Sequence, residues 1–234
     1  MMARIPNLAL LCFWLLAGFW PAVALGQTVP SPYQFIENRH EAGIVVGHGS
    51  PGTGRFGYGP APGASLGLRY GIRLGGPFAL DAVLAHLPTT RDIIDPSRAE
   101  GDRVVGTSDA WIATLDARLR FNLTGDRTWR GLSPFAFAGL GGAFDLKGVT
   151  AQERELLELE TDRFHFRPTF LGALGSGIAW YPSERLMFRA DASMVMWRLR
   201  TPLGFRSPER EFVGVGENEW VNGPSFSLGA AVRF

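Results

Sequence analysis

The two side chains best suited to covalent chemistry are His48 and Ser50, which are separated by one glycine. Residues i and i+2 of a strand share a face, so the imidazole could act as a base that activates the hydroxyl as a nucleophile. That chemistry also needs an acidic residue to orient the base, and no third member is evident. The pattern favours the start of a polar loop and leaves an esterase or deacylase at His48 and Ser50 as an alternative.

A glycine-rich stretch, Gly52-Thr-Gly54-Arg-Phe-Gly57, matches the G-x-G-x-x-G pattern of dinucleotide-binding proteins. Such a site requires a strand before the stretch and a helix after it. Here Gly59, Pro60 and Pro62 follow instead, so a surface loop is predicted. The four histidines are scattered and lack metal-ligand spacing. No cofactor, metal or catalytic residue is therefore predicted.

A larger group of charged residues occupies alternate positions of segments that are otherwise apolar. Buried charges persist only when they are paired. If these segments are strands of a narrow barrel, we expect the charged side chains to form an ion-paired network in its lumen. The members are Glu41, Arg69, Arg73, Asp81, Asp116, Arg118, Arg120, Arg189, Asp191 and Arg233.

Eight segments with a period of two would position these residues. Their predicted limits are 41–49, 63–75, 78–87, 109–123, 132–146, 168–181, 186–198 and 223–234. In the clearest segments the apolar positions carry no charge. Lysine or arginine costs about 2–4 kcal/mol on the lipid-facing side of a membrane strand, so this separation favours a transmembrane barrel over a soluble one. The connections alternate between long and short, as in an up-and-down barrel with short periplasmic turns.

The last segment ends on an aromatic residue, and one set of alternate positions within it is apolar throughout. In this respect it resembles the closing strand of bacterial outer-membrane β-barrels, which end on phenylalanine and use that end as an assembly signal. The resemblance implies recognition by the barrel-assembly machinery and pairing of this strand with the first one. The implied signal residues are Phe226, Leu228, Val232 and Phe234.

The chain as a whole resembles the small eight-stranded outer-membrane barrel superfamily, of the OmpA membrane-domain and Opa-like type. The motifs that carry the resemblance are Ser133-Pro-Phe-Ala-Phe-Ala-Gly-Leu-Gly-Gly-Ala143, Leu171-Gly-Ala-Leu-Gly-Ser-Gly-Ile-Ala-Trp-Tyr181 and Val232-Arg-Phe234. The expected fold class is all-β, an eight-stranded antiparallel up-and-down transmembrane β-barrel. These motifs are specific for the fold and nearly silent on function.

The N-terminal residues have the features of a secretory signal peptide. Arg4 provides the positive region, an apolar run follows, and small residues end the segment near residue 26. We expect a signal peptide at 1–26, a periplasmic lead-in at 27–40 and the barrel domain at 41–234, in the outer membrane of a Gram-negative-type bacterium. Basic and acidic residues balance in the mature chain, which gives no support for a nucleic-acid partner.

Several local features accompany the barrel. The apolar alternation shifts within the segment 132–146, because Phe135 and Phe137 stand at odd-numbered positions whereas Leu140 and Phe144 stand at even-numbered ones. A β-bulge near residues 139–142 is therefore predicted. Aromatic girdles are expected at both rims, with Trp111 and Trp197 at one of them. Thr150-Ala-Gln-Glu153 predicts a capping box that opens a short helix, and the acidic residues from 153 to 162 are expected on a solvated loop face.

The predicted function is a structural or surface-interaction role in contact with outer-membrane lipid. Long loops at 88–108, 147–167 and 199–222 would carry it and would provide any site for an extracellular ligand. Two alternatives remain: a narrow porin-like pore for small or hydrophobic solutes, and a lipid A-modifying hydrolase. Eight strands leave an interior that side chains can just fill, which favours a plugged lumen over a channel.

Overall fold

The computed structural model describes residues 31–210, 212 and 214–234, and residues 32–234 form one compact unit. Its secondary structure is almost entirely antiparallel strand. The strands are β1 (Tyr33–Phe35), β2 (His40–Gly49), β3 (Gly63–Gly75), β4 (Phe78–Ile94), β5 (Val104–Asn122), β6 (Arg127–Trp129), β7 (Leu132–Asp145), β8 (Thr169–Trp180), β9 (Leu186–Arg200) and β10 (Asn218–Arg233). Within the described residues, one α-helix, α1 (Ala151–Leu156), and 3-10 turns at Glu160–Asp162 and Leu203–Arg206 lie between strands. The predicted signal peptide lies outside the described residues.

Eight of the strands form a closed ring. The order around it is β7, β5, β4, β3, β2, β10, β9 and β8, and β8 pairs back onto β7. The predicted closure of the last strand on the first is confirmed, with Arg233 opposite Glu41 and Ser225 opposite Gly49. The first described residues, the C-terminal Phe234 and the short turns lie at one end, called here the short-turn end. The four long connections lie at the other, the long-loop end. No helix in the described part of the chain is long and apolar enough to span a membrane.

The two faces of the ring differ in chemistry as the alternation predicts. Leu66, Leu84, Leu115 and Leu228 are among the large apolar side chains on the outer face, where they are about half exposed. The lumen instead holds arginine and aspartate side chains that are almost fully buried. Such an exterior suits hydrocarbon rather than water.

Three strands extend well beyond their predicted ends, and one of them is β10, which begins at Asn218 within the predicted loop 199–222. The sequence predicts a long loop at 88–108, but β4 continues to Ile94 and β5 begins at Val104. Pairs such as Thr90 with Asp109 keep the ladder in register past the apolar belt. The loop prediction is wrong because polar residues can occupy both faces of a strand once it leaves the membrane.

A second difference concerns the lead-in. Residues 27–40 show no clear period, yet Tyr33–Phe35 forms β1 and pairs with β6, which lies in the short connection between the predicted segments 109–123 and 132–146. Three residues are too few to show a period. The Arg127 guanidinium lies 4.5 Å from the centre of the Phe35 ring.

The β-bulge predicted near 139–142 is absent. The register between β5 and β7 runs without a shift from Ile112 opposite Asp145 to Asn122 opposite Phe135. Phe135 and Phe137 are buried in the lumen, while Leu140 and Phe144 face outward on the same regular strand. The apparent change of phase therefore comes from residue type and not from the backbone. Aromatic residues occupy inward positions where charged or small residues were expected.

The lumenal rings cover guanidinium groups. The Arg189 guanidinium carbon lies 4.3 Å from the centre of the Phe135 ring, and that of Arg118 lies 5.1 Å from the Phe137 ring. An aromatic face attracts a cation, most strongly where water is excluded. The two phenylalanines thus belong to the charged interior.

We expect Phe135→Ala to lower the free energy of unfolding by about 3–5 kcal/mol, because it opens a cavity and uncovers Arg189. Phe144→Ala is the matched control, since its ring lies on the outer face of the same strand and is 39 % exposed. Denaturant-induced unfolding of the refolded barrel measures both changes. Equal losses for the two variants would contradict the inward packing role of Phe135.

Candidate functional site

A buried cluster of ion pairs fills the middle of the lumen, and Asp81 lies at its centre. Its carboxylate accepts a hydrogen bond of 2.8 Å from Arg189 Nη1 and lies 3.5 Å from Arg120 Nη2. The same Arg120 nitrogen lies 2.8 Å from Glu41 Oε1. Three strands, β2, β4 and β5, together with β9 on the opposite side of the ring, therefore meet across the lumen.

Asp191 extends this cluster toward the long-loop end. Its carboxylate is 3.1 Å from Arg69 Nη1 and 3.0 Å from Arg189 Nε, and it accepts a hydrogen bond of 2.7 Å from Ser227 Oγ. Asp116 and Arg118, two residues apart on β5, form their own two-point pair, with one contact of 3.1 Å between Nη2 and Oδ2. Every acidic residue of the predicted network thus has an arginine partner.

Two members of the predicted network have other partners. Arg73 Nη1 donates to the Ile36 carbonyl at 2.9 Å, and Arg233 Nη1 donates to the Glu184 carbonyl at 3.0 Å. Both arginines lie toward the short-turn end, where backbone segments close the lumen. Their charges are hydrogen-bonded without a carboxylate.

A cavity of about 100 Å³ lies in the lumen beyond these pairs. Arg69, Asp116 and Arg118 line its charged part, whereas Leu171 and Trp197 contribute to its apolar part. Trp197 was predicted for an aromatic girdle, but it is buried and faces inward. The charged part of this cavity offers polar partners to ordered water.

An aromatic cluster covers the long-loop end of the lumen and is called here the aromatic cap. Phe56 stacks on Phe205 at 4.4 Å between ring centres, and Tyr58 lies 4.7 Å from Phe164. The cap packs in one buried cluster with Leu87 and Trp197, which also line the lumen cavity. Its members come from three loops and are Phe56, Tyr58, Phe164, Phe166, Phe205 and Phe212.

Buried polar contacts hold the cap loops in place. Arg91 is 1 % exposed, and its two terminal nitrogens lie 2.9 Å from Asp145 and 2.8 Å from Glu153. Tyr58 donates a hydrogen bond to Thr201 at 3.3 Å. Burial raises the pKa of Tyr58 above its ordinary value of 10.0, so the phenol stays a neutral donor near neutral pH.

The predicted capping box is confirmed at the start of α1. The Glu153 backbone donates to the Thr150 hydroxyl, and the Thr150 backbone donates to the Glu153 carboxylate at 2.9 Å. The expectation of a solvated acidic face is wrong for two residues of that segment. Glu153 and Asp162 are buried, and Asp162 lies 2.8 Å from Arg210 Nη1. These partners are distant in sequence, so no local pattern could have shown them.

The residues considered for covalent or cofactor chemistry do not form a joint site, because Ser50 borders the lumen cavity whereas His48 faces outward. His48 is on the outward face of β2, and the Ser50 backbone donates to the Pro224 carbonyl at the end of that strand. Within the described part of the chain, no hydrogen bond joins the side chains of His48 and Ser50. Within the 52–57 stretch, Gly54 and Gly57 have positive φ, and the Arg55 backbone donates to the Glu219 carboxylate at 2.8 Å. No group of metal-binding side chains is found in the described part of the chain.

Comparison with solved structures agrees with this geometry. The outer membrane protein OprG from Pseudomonas aeruginosa superposes with a TM-score of 0.55 at 11 % identity, over 88 % of this chain and 99 % of that one. The chain has the fold of the small outer-membrane β-barrels. Neisserial surface protein A (14 % identity, 87 % and 98 % covered, TM-score 0.47) and the E. coli outer membrane protein W (14 %, 84 % and 98 %, 0.47) also match. No protein-family model and no curated protein sequence matches it. At these identities the small-barrel likeness establishes the fold and assigns no role.

Asp191→Ala should lower the free energy of unfolding by about 3–5 kcal/mol, because Arg69 and Arg189 both lose a buried partner. Asp126→Ala is the control, since its pair with Arg127 is about half exposed and 3.9 Å long, and such pairs contribute about 0–1 kcal/mol. Unfolding of both variants in denaturant gives the comparison. A loss below that of the Asp126 variant would show that the lumenal pairs do not stabilise the barrel.

Proposed function

We propose that this protein is a non-conducting integral outer-membrane barrel whose loops at the long-loop end present a preformed surface for contact with other molecules outside the cell. The observation that carries the proposal is that two separate layers obstruct the lumen. One layer is the ion-paired cluster around Asp81 and Asp191, and the other is the aromatic cap.

The obstruction disfavours the alternative of a pore for small or hydrophobic solutes. The cavity of about 100 Å³ lies between the two layers, so a solute crossing the membrane would have to displace both. Moving Arg189 would separate it from both Asp81 and Asp191, and all three side chains are almost fully buried. Separating buried ion pairs is costly, so a static barrier is favoured over a gate.

The loops that carry the aromatic cap are suited to a contact role, because their conformation is fixed by buried contacts while part of their outer surface is apolar. Leu159 and Leu203 are more than half exposed. Leu159 precedes one 3-10 turn and Leu203 begins another, and the two turns contact each other. The Asp162–Arg210 pair bonds these turns together, and Arg210 Nη1 also donates to the Gly204 carbonyl at 3.3 Å. Exposed apolar residues on a rigid support are a common feature of interaction surfaces.

The hydrolase alternative gains no support from the positions of its candidate residues. The His48 imidazole lies on the outward face between Ala64 and Phe226 on the neighbouring strands, where hydrocarbon rather than water would surround it. A base for hydrolysis needs access to water and a neighbouring nucleophile. We therefore assign no catalytic role to His48 or Ser50.

The proposal has two testable parts, of which the first is conductance. The purified protein should give no stable ion-passing openings in planar lipid bilayers, because both lumenal layers remain in place. Single-channel recording at neutral pH measures this. Reproducible discrete openings from the parent protein would favour the pore.

The second part is contact at the cap, tested in intact cells with a photoreactive amino acid in place of Leu159 or Leu203. We expect discrete cross-linked species at these positions. The same substitution at Ala99, an exposed residue on the β4–β5 hairpin, is the control and should give none. Cross-linking that is absent at all three positions would contradict a contact role for the cap.

A separate proposal concerns assembly, for which Phe226, Leu228, Val232 and Phe234 form the signal. All four lie on the outward face of the closing strand, and the Phe234 ring stacks on His40 at 5.7 Å at the short-turn end. An outward position leaves these side chains accessible to an assembly partner before the barrel closes.

Phe234→Ala should lower the amount of protein in the outer membrane several-fold while changing the unfolding midpoint of refolded protein very little. The control is Phe188→Ala, because Phe188 is also outward at the short-turn end and stacks on Trp180 at 5.7 Å. Quantitative blotting of membrane fractions and unfolding in detergent supply the two measurements. Similar levels of both variants in cells would mean that Phe234 is an ordinary packing residue.

A further inference from the structure

The outward face of β9 changes character near the long-loop end. Its outward positions run through Ala192, Met194 and Met196 and then continue with Arg198 and Arg200. All five side chains are exposed. A membrane strand tolerates arginine on its lipid side only at the interface, so the apolar belt ends between Met196 and Arg198.

Two aromatic residues mark the same level on the neighbouring strands. Trp220 on β10 pairs with Arg198, and Phe170 on β8 directly precedes Leu171, which pairs with Trp197. The Trp220 and Phe170 rings meet edge to face at 6.1 Å between centres. Trp220 is 58 % exposed. Tryptophan concentrates at the boundary between hydrocarbon and headgroups, so this row lies at that boundary.

A cleft directly beyond the aromatic row is rich in arginine. It has a volume of about 240 Å³, and its lining includes Arg167, Arg198 and Arg200. An adjoining cleft of about 320 Å³ shares Arg167 and Arg200 and adds Arg163 and His165, with Glu160 as its one acidic residue. The two clefts thus form one cationic groove at the rim of the barrel.

The arginines of this groove are poorly neutralised. Arg200 pairs with Glu217 at 3.2 Å, and both side chains are about half exposed. Among the residues that the structure describes, the guanidinium groups of Arg167 and Arg198 have no hydrogen-bond or ion-pair partner. The arginines in the lumen and in the cap do have such partners. An excess of guanidinium groups with free donors favours a multivalent anion.

We propose that this groove binds the phosphate group of a glycolipid of the outer leaflet, with the acyl chains of that lipid against Met196, Phe170 and Trp220. Arginine forks match the oxygens of phosphate. An apolar face continues directly below the groove and could contact acyl chains, which favours a lipid over a soluble anion as the ligand. The inference rests on the outer-membrane placement proposed above, but it does not depend on a partner at the cap.

The test uses the full refolded barrel in detergent micelles and native mass spectrometry with two lipids that share their acyl chains. One is bisphosphorylated lipid A and the other is lipid A from which both phosphates have been removed. The parent protein should bind the phosphorylated lipid at least tenfold more tightly. Equal affinity for the two lipids would overturn the proposal.

The combined variant Arg167→Gln, Arg198→Gln and Arg200→Gln should lose this preference. A matched control changes Arg98, Arg154 and Arg206 to glutamine, because these are exposed arginines of the outer loops that line neither cleft. The control should keep the parent's preference. Since all six side chains are exposed, both variants should fold, and the heat-dependent gel mobility of each checks this. An unchanged preference in the groove variant would place the lipid elsewhere and refute the assignment.

Two further measurements separate other outcomes. Inorganic phosphate that binds as tightly as the phosphorylated lipid would show a soluble-anion site and contradict the lipid assignment. Phe170→Ala with Trp220→Ala should weaken both lipids severalfold, because the acyl contact is lost, and unchanged affinity for both would refute that contact. If the parent protein prefers the phosphorylated lipid but gives no cross-links at Leu159 or Leu203, the contact role is refuted and the lipid site is not. Absence from membrane fractions would refute the outer-membrane placement.

Discussion

Closure of the backbone hydrogen-bond ladder between β10 and β2 is the constraint on which the rest of the molecule depends. An unpaired N–H or C=O group in hydrocarbon costs several kcal/mol, so neither edge strand could remain open in a membrane. The ladder is completed at its last residue, where the backbones of His40 and Phe234 exchange two hydrogen bonds of 3.0 Å. Closing a ring of only eight strands fixes a narrow interior that side chains must fill. The composition of the lumen follows from this width.

The same lumenal residues both fill the narrow interior and compensate the buried charges. Phe135 lies opposite Gly177 and Phe137 lies opposite Gly175 on β8. A β-carbon at Gly177 would come within 2.4 Å of the Ala190 carbonyl oxygen and within 2.6 Å of the Phe135 ring, which covers Arg189. Glycine on β8 therefore makes room for phenylalanine on β7, and phenylalanine in turn covers the charge. The glycine-rich composition of these two strands reflects packing across the ladder.

The sequence predicts the strands of the ring well because lipid on one side and a charged lumen on the other impose a strict alternation. The limits of β3 match the predicted 63–75, and the capping box at Thr150 is found because its partners are three residues apart. Prediction fails where a contact joins distant residues or where the solvent changes. From the sequence alone, an inward phenylalanine such as Phe135 cannot be distinguished from a lipid-facing one. Only its neighbours on other strands distinguish the two. The burial of Glu153 likewise depends on Arg91, whose position follows from β4 extending past the membrane.

Three arginines of this barrel show how the partners of a guanidinium depend on its environment. In the lumen, Arg189 contacts two carboxylates beneath an aromatic ring. In the cap, Arg91 joins Asp145 and Glu153 with almost no exposure. At the rim, Arg198 is exposed beside Trp220 and has no partner within the described residues. Burial demands a partner within the protein, whereas an exposed guanidinium at the edge of a membrane can take its partner from the lipid. A guanidinium that is both exposed and unpaired, such as that of Arg198, is therefore available to the surroundings of the barrel.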